Sequence, residues 1–311
     1  MSTEAMPPSE SLPRLKLFLA LSRTPHALLD LAAPAAAALL WLGTFPSLGV
    51  TLLGLITVFA GYTAVYALND VVDYRVDQEK MSQGGGGDGG YLDAIFVRHP
   101  LAQGLLTFPE ASWWVLIWAA VALFGAFILN PVCAYIFLGG CALEAVYCHL
   151  LRLSHLRTLV SGVVKTLGGV AAVLAVDPQP SLFFLAILFL WLFFWEIGGQ
   201  NIPADWHDLE EDRKRQARTV PVVLGPKQAS KIIFATLAAS VVLGFFLLAT
   251  APAKLPLSSQ AMALVAGVVL LFWPALQLYH SQSRDDASRI FNWASYYPAA
   301  ILSIILISFW F

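Results

Sequence analysis

Asn69-Asp70-Val71-Val72-Asp73-Tyr74-Arg75-Val76-Asp77 follows directly on the apolar run Leu48 to Leu68. A run of that length crosses the hydrocarbon core of a bilayer as a helix. Carboxylates at its boundary are costly unless a positive group answers them. Continued as helix, Asn69, Asp73 and Asp77 fall at i, i+4 and i+8, which stacks three oxygen ligands on one stripe. Hard cations such as Mg²⁺ take such oxygens, one or two from protein and the rest from phosphate and water.

A second stretch answers the first. Asp205-Trp206-His207-Asp208-Leu209-Glu210-Glu211-Asp212 lies just beyond the apolar run Ser181 to Gly199. Asp205, Asp208 and Asp212 share one helical face. Two bare acidic clusters repel each other, whereas divalent cations and an anionic substrate bridge them into a site.

The surrounding composition makes the chain an integral membrane protein. Of its 311 residues 58% are hydrophobic and 12% charged, against about a quarter charged in a soluble domain. No basic block points to nucleic acid. Nine apolar runs of membrane-spanning length occupy 27–46, 48–68, 112–130, 132–151, 158–177, 181–200, 231–250, 257–280 and 294–311, so the expected fold is an all-α bundle of nine transmembrane helices. Residues 1–26 read as a cytosolic tail with an interfacial lead-in, and 27–311 as a single transmembrane domain whose active-site loops are 69–111 and 201–230. All of the 18 Lys and Arg except Lys165 and Lys254 lie in the tail or after the even-numbered runs. Positive residues stay in the cytoplasm, which places the N-terminus and both acidic motifs there. The motifs follow runs two and six, a faint internal repeat. Cys133, Cys141 and Cys148 lack metal-ligand spacing.

The paired motifs, Asn69-Asp-x-x-Asp-x-x-x-Asp77 and Asp208-x-x-x-Asp212, resemble those of the UbiA superfamily of intramembrane prenyltransferases. The phrases Arg98-His99-Pro100-Leu101 and Thr219-Val220-Pro221 are similar to family phrases too, and the likeness spans nearly the whole chain. The resemblance implies Mg²⁺-dependent transfer of a polyprenyl group from prenyl diphosphate to an acceptor. Asn69, Asp73, Asp208 and Asp212 would then be the principal metal ligands, supported by Asp70, Asp77 and Asp205, with Asp73 and Asp208 central to catalysis. Arg23, Arg98, Arg152 and Arg157 are candidates for gripping diphosphate, since guanidinium forks match phosphate geometry. Tyr147, with Tyr62, Tyr66, Trp191, Phe194 and Trp195, offers aromatic faces to an allylic cation. Arg213 and Lys214 fit membrane anchors better.

The acceptor stays open. A small aromatic ring of the quinone-precursor type is the first expectation, and a porphyrin, a chlorophyllide or a glycerol-phosphate lipid the alternative. Ala204 stands where relatives often carry Lys, and Gln200-Asn201 replaces a frequent Arg-Glu pair. A secondary transporter is the rival from another class, but its charges belong at the bilayer midplane, whereas these cluster at the rim. Glu144, Lys165 and Glu196 are ionisable groups inside apolar runs, where such groups are usually functional; Glu144 and Lys165 are a possible pair, and Glu196 a candidate for the same cavity as the second motif. Gly84 to Gly90 followed by Tyr91 to Val97 is expected to form a hinged cap over the site. The expected location is a multi-pass membrane protein, of the inner membrane in a bacterial cell, with oligomeric state left open.

Overall fold

Within lipid every backbone N–H and C=O must find a partner inside the protein, and helices do this within one segment. The computed structural model describes residues 13–82 and 96–310, and among these nine helices are long and apolar enough to cross a membrane. They are span 1 (Thr24–Leu42), span 2 (Leu48–Val72), span 3 (Phe108–Leu129), span 4 (Pro131–Arg152), span 5 (Arg157–Val176), span 6 (Leu182–His207), span 7 (Pro226–Thr250), span 8 (Leu257–Ser281) and span 9 (Arg284–Ser308). The described residues contain no strand.

Span 9 begins at Arg284 rather than at 294. Ser283 caps it, its Oγ accepting from the Asp286 amide at 3.1 Å, and Asp285 and Asp286 fill the first turn. Hydroxyl caps and acidic first turns satisfy and complement a helix N-terminus, so a polar stretch that hydropathy assigns to a loop is helical. Span 6 likewise runs on to His207 and carries Asp205 within it.

Spans adjacent in sequence pack side by side from span 2 to span 9, and span 1 closes the bundle against spans 5 and 9. Large apolar side chains such as Leu52, Ile56, Phe124 and Phe183 point outward, as lipid contact requires. Because lipid is as apolar as leucine, close packing rather than hydrophobic exclusion must hold the helices together. Gly162 and Gly169 show how. A Cβ on Gly162 would lie 2.6 Å from the Phe193 ring, and one on Gly169 2.5 Å from Leu192. Seven residues apart, they form one small-residue face of span 5 against span 6.

Proline shapes the spans that carry function. Pro34 has no N–H for the Asp30 carbonyl, and span 1 bends at Leu31 between Thr24–Asp30 and Ala32–Leu42. Span 6 widens into a π turn over Glu196–Asn201 just ahead of Pro203, and span 8 does the same over Val268–Phe272 ahead of Pro274.

Gly169→Val should cost about 1–3 kcal/mol through overpacking. It should lower the detergent melting temperature, while Gly49→Ala, where an added Cβ meets nothing within 4 Å, should not. Equal melting of both variants would contradict the close span 5–span 6 contact.

Candidate functional site

Each acidic motif is built the same way. Span 2 ends at Val72, Asp73 alone breaks the helix at φ −85°, ψ 4°, and a short helix Tyr74–Ser82 follows. Span 6 ends at His207, Asp208 alone breaks the helix at φ −93°, ψ 12°, and Leu209–Lys214 follows. This sparsely allowed backbone region is frequent at active sites. The frame survives both breaks, since the Asp77 amide donates to Asp73 O at 2.9 Å and the Asp212 amide to Asp208 O at 2.8 Å. Asn69, Asp70, Asp73, Asp77, Asp205, Asp208 and Asp212 therefore line one cavity of about 570 Å³. Below them the cavity is walled by apolar residues of spans 1, 2, 3, 4, 5 and 9, reaching Val50 and Leu306.

Basic groups come to meet these carboxylates from four directions. Arg98 grips Asp208 with both arms of its fork, at 2.7 and 3.1 Å. Its neighbour His99 turns the other way, with Nδ1 3.0 Å from Asp77 and 3.4 Å from Asp70. A left-handed backbone at His99, φ 49°, lets consecutive side chains reach opposite arms. Such a conformation is uncommon for a residue other than glycine. Arg157 lies 3.4 Å from Asp205 and stacks 3.9 Å above the Tyr147 ring. Arg215 bonds Asp212 at 2.5 and 3.1 Å. Arg23 bonds Asn69 Oδ1 at 3.2 Å and Asp70 at 3.4 Å.

These contacts set protonation. Burial, with the adjacent Asp77 charge, raises the Asp73 carboxyl above the ordinary range. Burial alone would pull His99 down, but Asp77 and Asp70 outweigh it and lift the imidazole to about 9. Asp212 likewise outweighs burial to hold the Arg215 guanidinium charged.

Several expected placements change. The tightest potential metal-binding group among the described residues is Asp70, Asp77 and His99, whose ligand atoms lie within 4.8 Å of one another. Asp70 and Asp77 are seven residues, two turns, apart and share a face. Asn69 lines the same cavity, with its Oδ1 facing Arg23 and its Nδ2 donating to Glu144 at 2.8 Å. Arg152 is not brought to the cavity; it pairs with Glu79 on the surface. Trp191 and Trp195 pack in the core, their indoles turned to Tyr297 and the Ala294 carbonyl. Tyr62, Tyr66 and Tyr147 do line the cavity.

Glu144 and Lys165 do not pair. Lys165 donates to Asp30 at 2.5 Å and to the Tyr66 hydroxyl at 2.6 Å. Asp30 is 2% exposed and escaped the sequence reading. Its signal is an acidic residue inside the first apolar run, which a membrane interior tolerates only with a partner. The proposed cap over Gly84 to Val97 lies largely outside the described residues.

Two acidic arms stand at the mouth of one largely apolar cavity inside the bundle. The chain belongs to the UbiA prenyltransferase family, whose family model matches residues 31–296, and it is a prenyltransferase. Among curated relatives it is 22% identical over 282 residues to digeranylgeranylglyceryl phosphate synthase of Thermococcus kodakarensis, covering 88% of this chain and 91% of that protein. The Thermococcus sibiricus protein of the same name is 26% identical over 280 residues, covering 89% and 91%. Among solved structures, a UbiA homologue from Aeropyrum pernix superposes with a TM-score of 0.70 at 21% identity, covering 91% of this chain and 98% of that one. A homologue from Archaeoglobus fulgidus bound to DMAPP and Mg²⁺ superposes at 0.64 with 18% identity, covering 93% and 99%. These structures share the fold.

In chelator-treated protein the His99 ion pairs should add stability that is full below about pH 6.5, the ordinary imidazole value, and fades as pH rises through about 9. Melting of wild type against His99→Gln across pH 6 to 9.5 checks this. A difference that stays flat, or grows with pH, would contradict the assigned contacts.

Proposed function

We propose that the chain transfers a prenyl group from its diphosphate to a hydroxyl of a glycerol-phosphate lipid. The observation that carries the donor half is the shared cavity: both acidic arms line its polar end, and apolar side chains of six spans line the rest. A prenyl diphosphate has that profile. The acceptor half is supported by the two curated relatives, named for a glyceryl phosphate bearing two geranylgeranyl chains. They favour the lipid acceptor over the aromatic ring that the motifs alone put first.

The donor set fits a hard divalent cation. It is rich in carboxylate oxygens, and Asp205 Oδ2 is buried without a hydrogen-bond partner. Asp70, Asp73 and Asp77 on one arm and Asp205, Asp208 and Asp212 on the other would hold such ions, Mg²⁺ being the natural choice. Bound there, a cation offsets the negative charge that develops on the departing diphosphate.

The protein's own groups do the remainder. Arg23, Arg98, Arg157 and Arg215 stand around the head-group position and supply fork-shaped donors for phosphate oxygens. The apolar walls hold the prenyl chain and keep water from its reactive carbon. Tyr62, Tyr66 and Tyr147 present ring faces where positive charge develops on the allylic carbons. Residues 27–311 act as one catalytic unit. The active site faces the cytoplasm, with the N-terminus on the same side, because the basic residues gather there; in a bacterial cell this is the inner membrane.

The test is purified enzyme with geranylgeranyl diphosphate, offered either geranylgeranylglyceryl phosphate or a hydroxybenzoate, with Mg²⁺ or with chelator, and products read by mass spectrometry. A Mg²⁺-dependent lipid ether is expected. Alkylation of the aromatic acid alone would overturn the acceptor assignment. Asp73→Asn and Asp208→Asn should each lower turnover at least 100-fold while melting stays near wild type; full activity in both would remove the metal-holding role.

A further inference from the structure

Beneath the carboxylate arms, inside the membrane, the same cavity is lined by a further carboxylate. Glu196 on span 6 is 6% exposed and lines the cavity. Its Oε1 accepts from Ser161 at 2.7 Å. Its Oε2 is buried and has no hydrogen-bond partner. A buried carboxylate oxygen left without a hydrogen bond is costly, so a ligand that donates to it recovers that cost. Lys165 and His26 act on the carboxylate by charge, but neither hydrogen-bonds Oε2: the Lys165 ammonium donates to Asp30 and Tyr66, and His26 lies 3.8 Å from Asp30.

The backbone aims Glu196 at the site. The cavity-lining residues of span 6 and its arm include Glu196, Gln200, Ala204, Asp208 and Asp212, spaced by four. On a regular α-helix such a row drifts about 40° per step, roughly 160° over four steps. It would carry Glu196 to the far side of the helix from Asp212. The π turn over Glu196–Asn201 inserts about one extra residue, which removes roughly 100° of that drift. Gly198 and Gly199 make room for the wide turn, since Cβ atoms there would lie 2.3 Å from Thr236 and 2.8 Å from Ala294. Pro203 follows it, and six consecutive residues through the turn are buried.

We infer that Glu196 Oε2 is the group that binds the acceptor hydroxyl and takes its proton. The inference rests on the hydroxyl-acceptor reading above. In the step, the hydroxyl oxygen supplies the electron pair of the new bond to C1 of the prenyl chain. The C1–O bond breaks with its pair leaving on diphosphate, and the hydroxyl proton passes to Glu196 Oε2, to be returned to solvent through the cavity mouth. Ser161 is a positioning residue that fixes the carboxylate through Oε1.

Glu196→Gln keeps the shape and the Ser161 bond but cannot take a proton. Its kcat with the hydroxyl acceptor should fall 10²–10⁴-fold, the usual worth of a proton-transfer group. Binding of a non-reactive prenyl thiodiphosphate with Mg²⁺ should stay within twofold. An acceptor analogue carrying a thiol, which loses its proton far more readily, should recover most of the rate. Ser161→Ala should cost about tenfold in kcat by the same pattern, and it keeps the test open should Glu196→Gln fold poorly. Unchanged turnover in both variants, loss of donor binding, or equal loss with hydroxyl and thiol acceptors would each overturn the assignment. Wild-type enzyme that ignores the glycerol-phosphate lipid is a separate result: it removes the acceptor reading before any variant is compared.

Discussion

Six aspartates share one cavity at the edge of a low-dielectric slab, and the rest of the site follows from keeping them there. Two unit charges about 5 Å apart repel by roughly 3 kcal/mol at an effective dielectric of 20. A cluster of this size cannot stay ionised and close unless cations are folded in with it. The chain supplies them from separate elements: Arg23 at the head of span 1, Arg98 and His99 between spans 2 and 3, Arg157 at the head of span 5, and Arg215 beyond the second arm. Guanidinium groups suit this task because they stay charged when buried and bind carboxylates by two parallel hydrogen bonds. They are also the groups that a phosphate would recruit, so the internal pairing keeps the cavity organised and leaves phosphate-binding donors in place.

The cavity has a second polar level. Lys165, Asp30 and Tyr66 satisfy one another inside the membrane, and Lys165 lies 5.1 and 5.6 Å from the rings of Tyr66 and Tyr62. A group of this kind is tolerable in lipid because every member has a hydrogen-bond partner. Glu196, with one oxygen left over, differs from it in kind. The distinction between satisfied and unsatisfied buried groups separates architecture from chemistry in this bundle better than charge alone.

The nine spans were legible because length and apolarity act locally and need no tertiary context. The two acidic arms were legible for the same reason: carboxylates directly behind an apolar run are conspicuous. What the sequence hid was partnership. Whether Lys165 meets Glu144 or Asp30 depends on how span 1 bends at Pro34 and lies against span 5, which periodicity cannot tell. Arg152 and Arg157 look equivalent along the chain, yet one ends at the surface with Glu79 and the other under the arms with Asp205. His99 passed as part of a phrase, because its left-handed backbone is invisible in composition. Asp285 and Asp286 disguised the start of span 9, since a helix cap and a loop draw on the same residue types.

Span 6 also limits what kind of sequence change this enzyme can absorb. Its wide turn is a difference in residue count, and only a change in count can undo it. Substitutions within Glu196–Asn201 alter side chains but leave the segments on either side in phase. Deleting one residue there would restore even winding and swing the second arm by about 100° relative to the glutamate. Two sequences that agree at every charged position would then describe different pockets. A comparison of such chains has to align the gap in span 6 before it aligns the aspartates.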